Sequence, residues 1–429
     1  MSMNRRLAPL LIASFTTLLL FILFQTTHLG QSWHRIPQAI GLGDKGPTAE
    51  QIASGENILP DLRESRPSPE EQKKQDELKE TVFTPGVPKT PGSNYTRTLV
   101  IARMKEENTS WIEEKLGNML RPTGLMDTAI YVMDDPEAPL HPPLNKGHEA
   151  MAYLSYIVEH YESLADISIF MHSHRFGWHN NELQNLDAVW MITDLSPEHV
   201  TRQGYMNLRC HWDPGCPDWL HPEATELNLE KQEERVLSDA WVELFPEDPL
   251  PSVLSQPCCG QFALSKERIR EVPLQEYIDI RDWLLRTPFT DYISGRIFEY
   301  LWQYIFTGNS IECPAMHSCY CDGYGICFGG PDEFDRYLDT RYWLMHYQSE
   351  LSHIKWLKEQ IDKATVEGRF DEAAQLEVPE FGRDEWLIER IDAYRKEVEV
   401  KAEDAWERGR DPANRAKEVG REWREGDGF

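Results

Sequence analysis

Three histidines, His172, His174 and His179, follow directly on the short apolar run Ile167–Met171 in the stretch ISIFMHSHRFGWHNN. Imidazole is a frequent metal ligand and an acid or base near neutral pH. Alternation along an extended segment sends His172 and His174 to the same side, so their nitrogens can converge, with His179 reaching in from the loop beyond. The three are candidate ligands for a divalent metal, Mn or Zn. A structural use competes with this one, because histidines at a strand end also hydrogen-bond to backbone.

Several carboxylates add to the list. Glu299 lies in a segment rich in Phe and Trp, where loss of solvent raises a carboxyl pKa and suits it as a base; an ion pair with nearby Arg296 is the competing use. Asp282 is a second candidate base. Asp134 and Asp135 end an apolar run and could bind ribose or metal, or simply form a turn. Asn145 and Glu149 flank a helix start, where Glu149 either meets substrate or favours the helix N-terminus electrostatically. Trp178 and Trp212 offer flat faces to a sugar or base, although core packing is the commoner use of Trp.

Ile167–Met171, short and rich in β-branched and aromatic residues, predicts a buried strand. Thr98–Met104 and Thr128–Met133 predict two earlier strands, and Asn108 is a candidate cap for a helix reaching Leu120. From His148 to Leu164, the residues Met151, Leu154, Ile157, Val158 and Tyr161 recur at helical spacing. This alternation predicts an α/β fold, an open and mainly parallel sheet with flanking helices. In such sheets ligands bind beyond the carboxyl ends of the strands, where the histidines fall. Further along, Asp187–Thr193 is another apolar run, and Thr225–Phe245 reads as an amphipathic helix with Thr225 as its cap. QFALS predicts a short strand, followed by helices from Lys266, over Leu274–Leu285 and over Asp291–Phe306. Neither a dinucleotide-binding glycine fingerprint nor a P-loop occurs. From Pro331 the pattern changes to long charged helices. Leu357–Leu376 resembles a helical hairpin with Gly368 at its turn, either a solvated appendage or a docking site for a protein partner.

The ends of the chain speak to compartment. Leu7–Phe24 is apolar behind Arg5 and Arg6, and as a helix would span roughly 27 Å, enough for a thin bilayer. It predicts a signal anchor over residues 7–24 with residues 1–6 in the cytosol; a cleaved signal peptide is the rival reading. Residues 25–95 read as a flexible stem, residues 96–330 as a lumenal α/β domain and residues 331–429 as a charged helical tail. The expected location is the Golgi or endoplasmic reticulum membrane, single-pass, with the body in the lumen. Asn94 and Asn108 begin glycosylation triplets that fit a lumenal body. The eight cysteines, Cys210, Cys216, Cys258, Cys259, Cys313, Cys319, Cys321 and Cys327, read as a disulfide framework, with a zinc site on the last four as the alternative. A formal net charge of −28 argues against binding nucleic acid.

The segments NKGHE at 145–149, GYMNLRCHWDPGCP at 204–217, PCCGQFALS at 257–265 and SGRIFEYLWQYIFTG at 294–308 resemble a fungal, membrane-anchored family known as domain of unknown function 3431. More distantly, the chain is similar to glycosyltransferases with a single Rossmann-like domain (the A-type fold). That resemblance implies a nucleotide-sugar donor, a glycan acceptor and a metal-binding Asp-x-Asp motif; His172-Ser-His174 stands here in place of the two aspartates. The expected function is a lumenal glycosyltransferase-like enzyme. A non-catalytic glycan-binding or scaffolding protein and a metal-dependent hydrolase are the alternatives.

Overall fold

The computed structural model describes residues 83–224 and 228–429. The anchor segment at 7–24, most of the stem and the Thr225 cap lie outside those residues. No helix among the described residues is long and apolar enough to cross a membrane.

In chain order the first half reads β1 (Arg97–Arg103), α1 (Trp111–Leu116), β2 (Met126–Val132), α2 (Ala150–His160) and β3 (Ile167–His172). The middle adds α3 (Ala188–Asp194), α4 (Pro197–Gln203), β4 (Tyr205–Asn207), α5 (Glu234–Leu244), β5 (Phe262–Ser265) and α6 (Lys266–Glu271). Then follow α7 (Leu274–Arg286), α8 (Asp291–Glu299), α9 (Trp302–Thr307), α10 (Pro331–Val366), α11 (Phe370–Ala373), α12 (Arg383–Gly409) and α13 (Pro412–Glu418). The sheet order is β2-β1-β3-β5-β4. β1 pairs in parallel with both β2 and β3, while β5 is antiparallel to β3 and β4. The carboxyl ends of β1 to β4 and the start of β5 therefore share one rim.

β3 is apolar at nearly every position because both faces of the sheet are covered. Its side chains alternate between two cores. Phe170 joins Val100, Phe262 and Leu264 against α2, α5 and α7 to α9. Ile167, Ile169 and Met171 join Leu99 and Ile101 against α1, α3 and the base of the C-terminal helices.

Three expectations are corrected. The helix expected over Asp291–Phe306 is two helices, α8 and α9, interrupted at the buried residues Tyr300 and Leu301. The described helix within 225–245 spans only Glu234–Leu244, preceded by the fully buried Glu233, whose carboxylate binds Arg296 at 2.8 Å. The hairpin expected at 357–376 is longer. Gly368 does turn the chain, at φ 73°, but the returning arm is α12, which begins at Arg383.

α10 and α12 run antiparallel, with Leu344, Leu351 and Ile354 packed on Leu387 and Ile391. Their base is part of the second core, since Phe334, Tyr337 and Ala405 bury against Tyr320, Tyr324 and Phe328. All eight cysteines are paired, as Cys210–Cys319, Cys216–Cys313, Cys258–Cys259 and Cys321–Cys327. Cys210 and Cys216 thus tie their loop to the segment at 313–319, and the four later cysteines are disulfide-bonded, the zinc alternative giving way.

Candidate functional site

The rim brings together several of the candidate polar residues. His172 is the last residue of β3, registered beside Ala102 of β1. Its backbone N–H donates to Gln261 Oε1, and its Nε2 lies 2.7 Å from the Cys259 carbonyl. Gln261 Nε2 in turn donates to Asn180 Oδ1, while Asn180 and Asn181 bind the carbonyls of Arg175, Leu186 and Leu208. That lattice fixes the loop carrying Trp178 and His179. The His179 ring packs edge-on to His172 at 4.7 Å between centroids, and an added side chain at Gly177 would strike it.

Burial lowers the pKa of His172, with the Cys259 carbonyl and the charges of Glu299 and Glu107 opposing the shift. Burial, helped by His172, His174 and Arg209, brings His179 down to about 2. Both rings are therefore neutral at physiological pH. Each then carries one donor and one acceptor nitrogen.

Two glutamates complete the cluster. Glu149, at the entry of α2, has its Oε1 against Gly260, where an added Cβ would lie 2.6 Å away. Burial pushes its carboxyl up to about 7, against the effects of its own backbone amide and His148. Glu299, at the end of α8, accepts the Cys259 N–H at 2.6 Å. Burial raises it above the ordinary carboxyl value despite Arg296 and that amide, and the charge of Glu149 adds to the rise. The residues between them, Cys259 and Gly260, adjoin in sequence, so both carboxylates border one short loop. Desolvation with like charge is the arrangement that tunes an acid for work at neutral pH.

The metal expectation meets a divided set of histidines. His172 Nε2 faces the Cys259 carbonyl, His174 Nε2 lies 3.2 Å from Glu107 Oε1, and His179 Nε2 is buried without a partner. Among the described residues the donor groups that gather closely are Cys258, Cys259 and Glu299, and Cys321, Cys327 and Glu418, whose cysteines are spent in disulfides. The histidines as placed do not gather as a metal centre.

The other expected residues disperse. Asp134 and Asp135 bind the backbone and ammonium of Lys105, a loop-forming use. Asn145 is exposed, with its amide towards Met104 sulfur. Asp282 lies on the outer side of α7, 3.8 Å from Arg286. Trp212 is buried and donates to the Pro314 carbonyl. Trp178 does stand at the rim, beneath the Arg209 guanidinium at 5.4 Å. Asn94 and Asn108 are exposed, and Asn108 Oδ1 accepts the Ser110 amide just before α1.

Sequence reasoning did not single out Glu107, Asn180, Arg209, Gly260 or Gln261. Only the glycine after the paired cysteines carried a local signal, the freedom to adopt φ 61°.

A family model described as Protein of unknown function (DUF3431) matches residues 99–322. No curated protein and no solved structure matches the chain.

Proposed function

This chain belongs to that DUF3431 family of unknown function, and we propose that its sheet rim is an enzyme site that transfers a glycosyl group from a nucleotide sugar to a hydroxyl. The observation that carries this reading is the pair of carboxylates bordering the Cys259–Gly260 loop at the rim, Glu299 on the Cys259 amide at 2.6 Å and Glu149 against Gly260, with burial pushing the Glu149 carboxyl up to about 7. A group with that pKa is divided between acid and base near neutral pH, which is where proton transfer is most effective.

In the proposed step the Glu149 carboxylate takes the proton of the acceptor hydroxyl as its oxygen attacks the anomeric carbon. The bond from that carbon to the diphosphate breaks, and the nucleoside diphosphate leaves with the electron pair. Glu299 has the supporting role, since its Oε1 is committed to the Cys259 amide. This exchanges the parts that the sequence suggested for the two glutamates. Trp178 offers a face for the sugar, and the buried Arg209 guanidinium beside it, held by the Trp178 and Asp213 carbonyls, adds positive potential for the leaving group. The neutral histidines serve as hydrogen-bonding groups.

The test incubates the full-length protein with a panel of nucleotide sugars and follows release of nucleoside diphosphate, with and without hydroxyl acceptors. Turnover with one donor that falls at least about a hundredfold in Glu149→Gln supports the reading. Full turnover in that variant overturns it. Glycan binding with no turnover of any donor would instead favour the non-catalytic alternative.

A further inference from the structure

The loop entering β5 contains two neighbouring cysteines bonded to each other, Cys258 and Cys259. A disulfide between residues far apart stabilises by shortening the loops open to the unfolded chain. Cys210–Cys319 and Cys216–Cys313 do this over separations of 109 and 97 residues. The Cys258–Cys259 bond spans a separation of 1, so it restricts almost nothing that the chain does not already restrict. Its effect is local. It closes a small ring through the peptide bond joining the two residues and limits how that peptide can turn.

What the ring aims is the site. Cys259 is held at φ 88°, a region that residues with side chains rarely occupy, and Gly260 follows at φ 61°. The Cys259 N–H donates to Glu299 Oε1 at 2.6 Å, and its carbonyl faces His172 Nε2 at 2.7 Å. Gly260 then lies against Glu149 Oε1. One constrained dipeptide therefore sets two of the polar groups on the rim, and the glycine that follows it borders a third.

We propose that the Cys258–Cys259 disulfide is a redox-operated positioning element: closed, it holds Glu299 and His172 in place through the Cys259 peptide; opened by a dithiol, it releases both. The importance of that release rests on the reading of the rim as the reactive site. In the chemical step a thiolate of the dithiol attacks one sulfur, the S–S bond breaks and a mixed disulfide forms. The second thiol of the reductant displaces it. Cys258 and Cys259 end as two thiols and the reductant as a disulfide, with two electrons and two protons transferred. Cys259 can then leave its left-handed conformation, taking its N–H and carbonyl from their partners.

The test needs no substrate, so its failure is distinct from failure of the enzyme reading. Full-length protein is titrated with dithiothreitol, its thiols are alkylated and mapped by mass spectrometry, and histidine modification by diethyl pyrocarbonate is followed in parallel. Opening of Cys258–Cys259 should raise modification of His172 roughly fivefold, the factor that loss of one hydrogen bond allows. The exposed His353 in α10 should not change. The double variant Cys258→Ala/Cys259→Ala should show the raised rate without dithiol and no further response to it. Unchanged protection of His172 after both cysteines are alkylated overturns the proposal. So does a vicinal pair that stays closed after the other three disulfides have opened. Should the double variant fail to fold, the wild-type titration decides alone.

Discussion

Glu149 and Asp322 couple pH to stability with opposite signs. The Glu149 carboxyl is raised from the ordinary 4.5 to about 7, so folding binds its proton more tightly. Its contribution is fully present below the ordinary value and is lost as pH rises through about 7. Glu149→Gln removes the charged form altogether. At about pH 8 that variant should be more stable than the wild type by up to roughly 2–3 kcal/mol, with the gap closing at about pH 4. Denaturant melts at both pH values check this. Asp322 is nearly fully buried, which alone would raise its pKa, but His199 at 2.7 Å and Arg202 outweigh that and hold it well below the carboxylate range. Its contribution is present above the ordinary carboxylate value and is lost only in strong acid. Asp322→Asn should therefore destabilise at neutral pH by about 3–5 kcal/mol, since it leaves buried Arg202 without its counter-charge. Thermal melts that differ by less than a degree would contradict it.

At the scale of elements, β3 was readable and the rim around it was not. An apolar run such as Ile167–Met171 encodes a buried strand locally, and β1 lies one residue from its expected span. The site is assembled from contacts distant in sequence: His172 meets Cys259 87 residues on, and Cys259 meets Glu299 40 residues beyond that. No periodicity records such meetings. The same holds for the cysteines, whose even number suggested a disulfide framework but not which cysteine meets which. Glu149 was visible as a helix-start residue, but the environment that raises its pKa is made by segments from elsewhere in the chain. A double-mutant cycle tests the loop that joins these elements. Gly260→Ala should cost about 1–3 kcal/mol, from its positive φ and from the approach of Glu149 Oε1. Combined with Glu149→Ala, part of that cost should disappear, giving a coupling above about 0.5 kcal/mol. Strict additivity in urea melts would show that the two residues do not meet.

Across the whole molecule, the C-terminal helices contribute at one end and protrude at the other. Tyr337 of α10 is buried in the second core, and the Ala405 carbonyl of α12 accepts the Cys327 N–H at 2.9 Å. Near the tip, Val366 is 87% exposed and Phe381 fully so. Tyr337→Ala should cost about 3 kcal/mol or more, whereas Val366→Ala should stay within about 0.5 kcal/mol. Equal melting temperatures for the two variants would mean that the helical pair is not part of the folded domain. The long helices read from sequence as a solvated appendage because charge dominates them. Their few buried apolar residues decide the packing.

The proposed chemistry depends on one carboxyl group, Glu149, whose titration near neutral pH comes from the way the strands, α2 and the Cys259–Gly260 loop meet around it. Carbon-13 NMR of the glutamate carboxyls across a pH titration, with the Glu149 signal assigned through Glu149→Gln, measures this without any substrate. A midpoint near 7 is the predicted result. A midpoint at the ordinary glutamate value of 4.5 would contradict it.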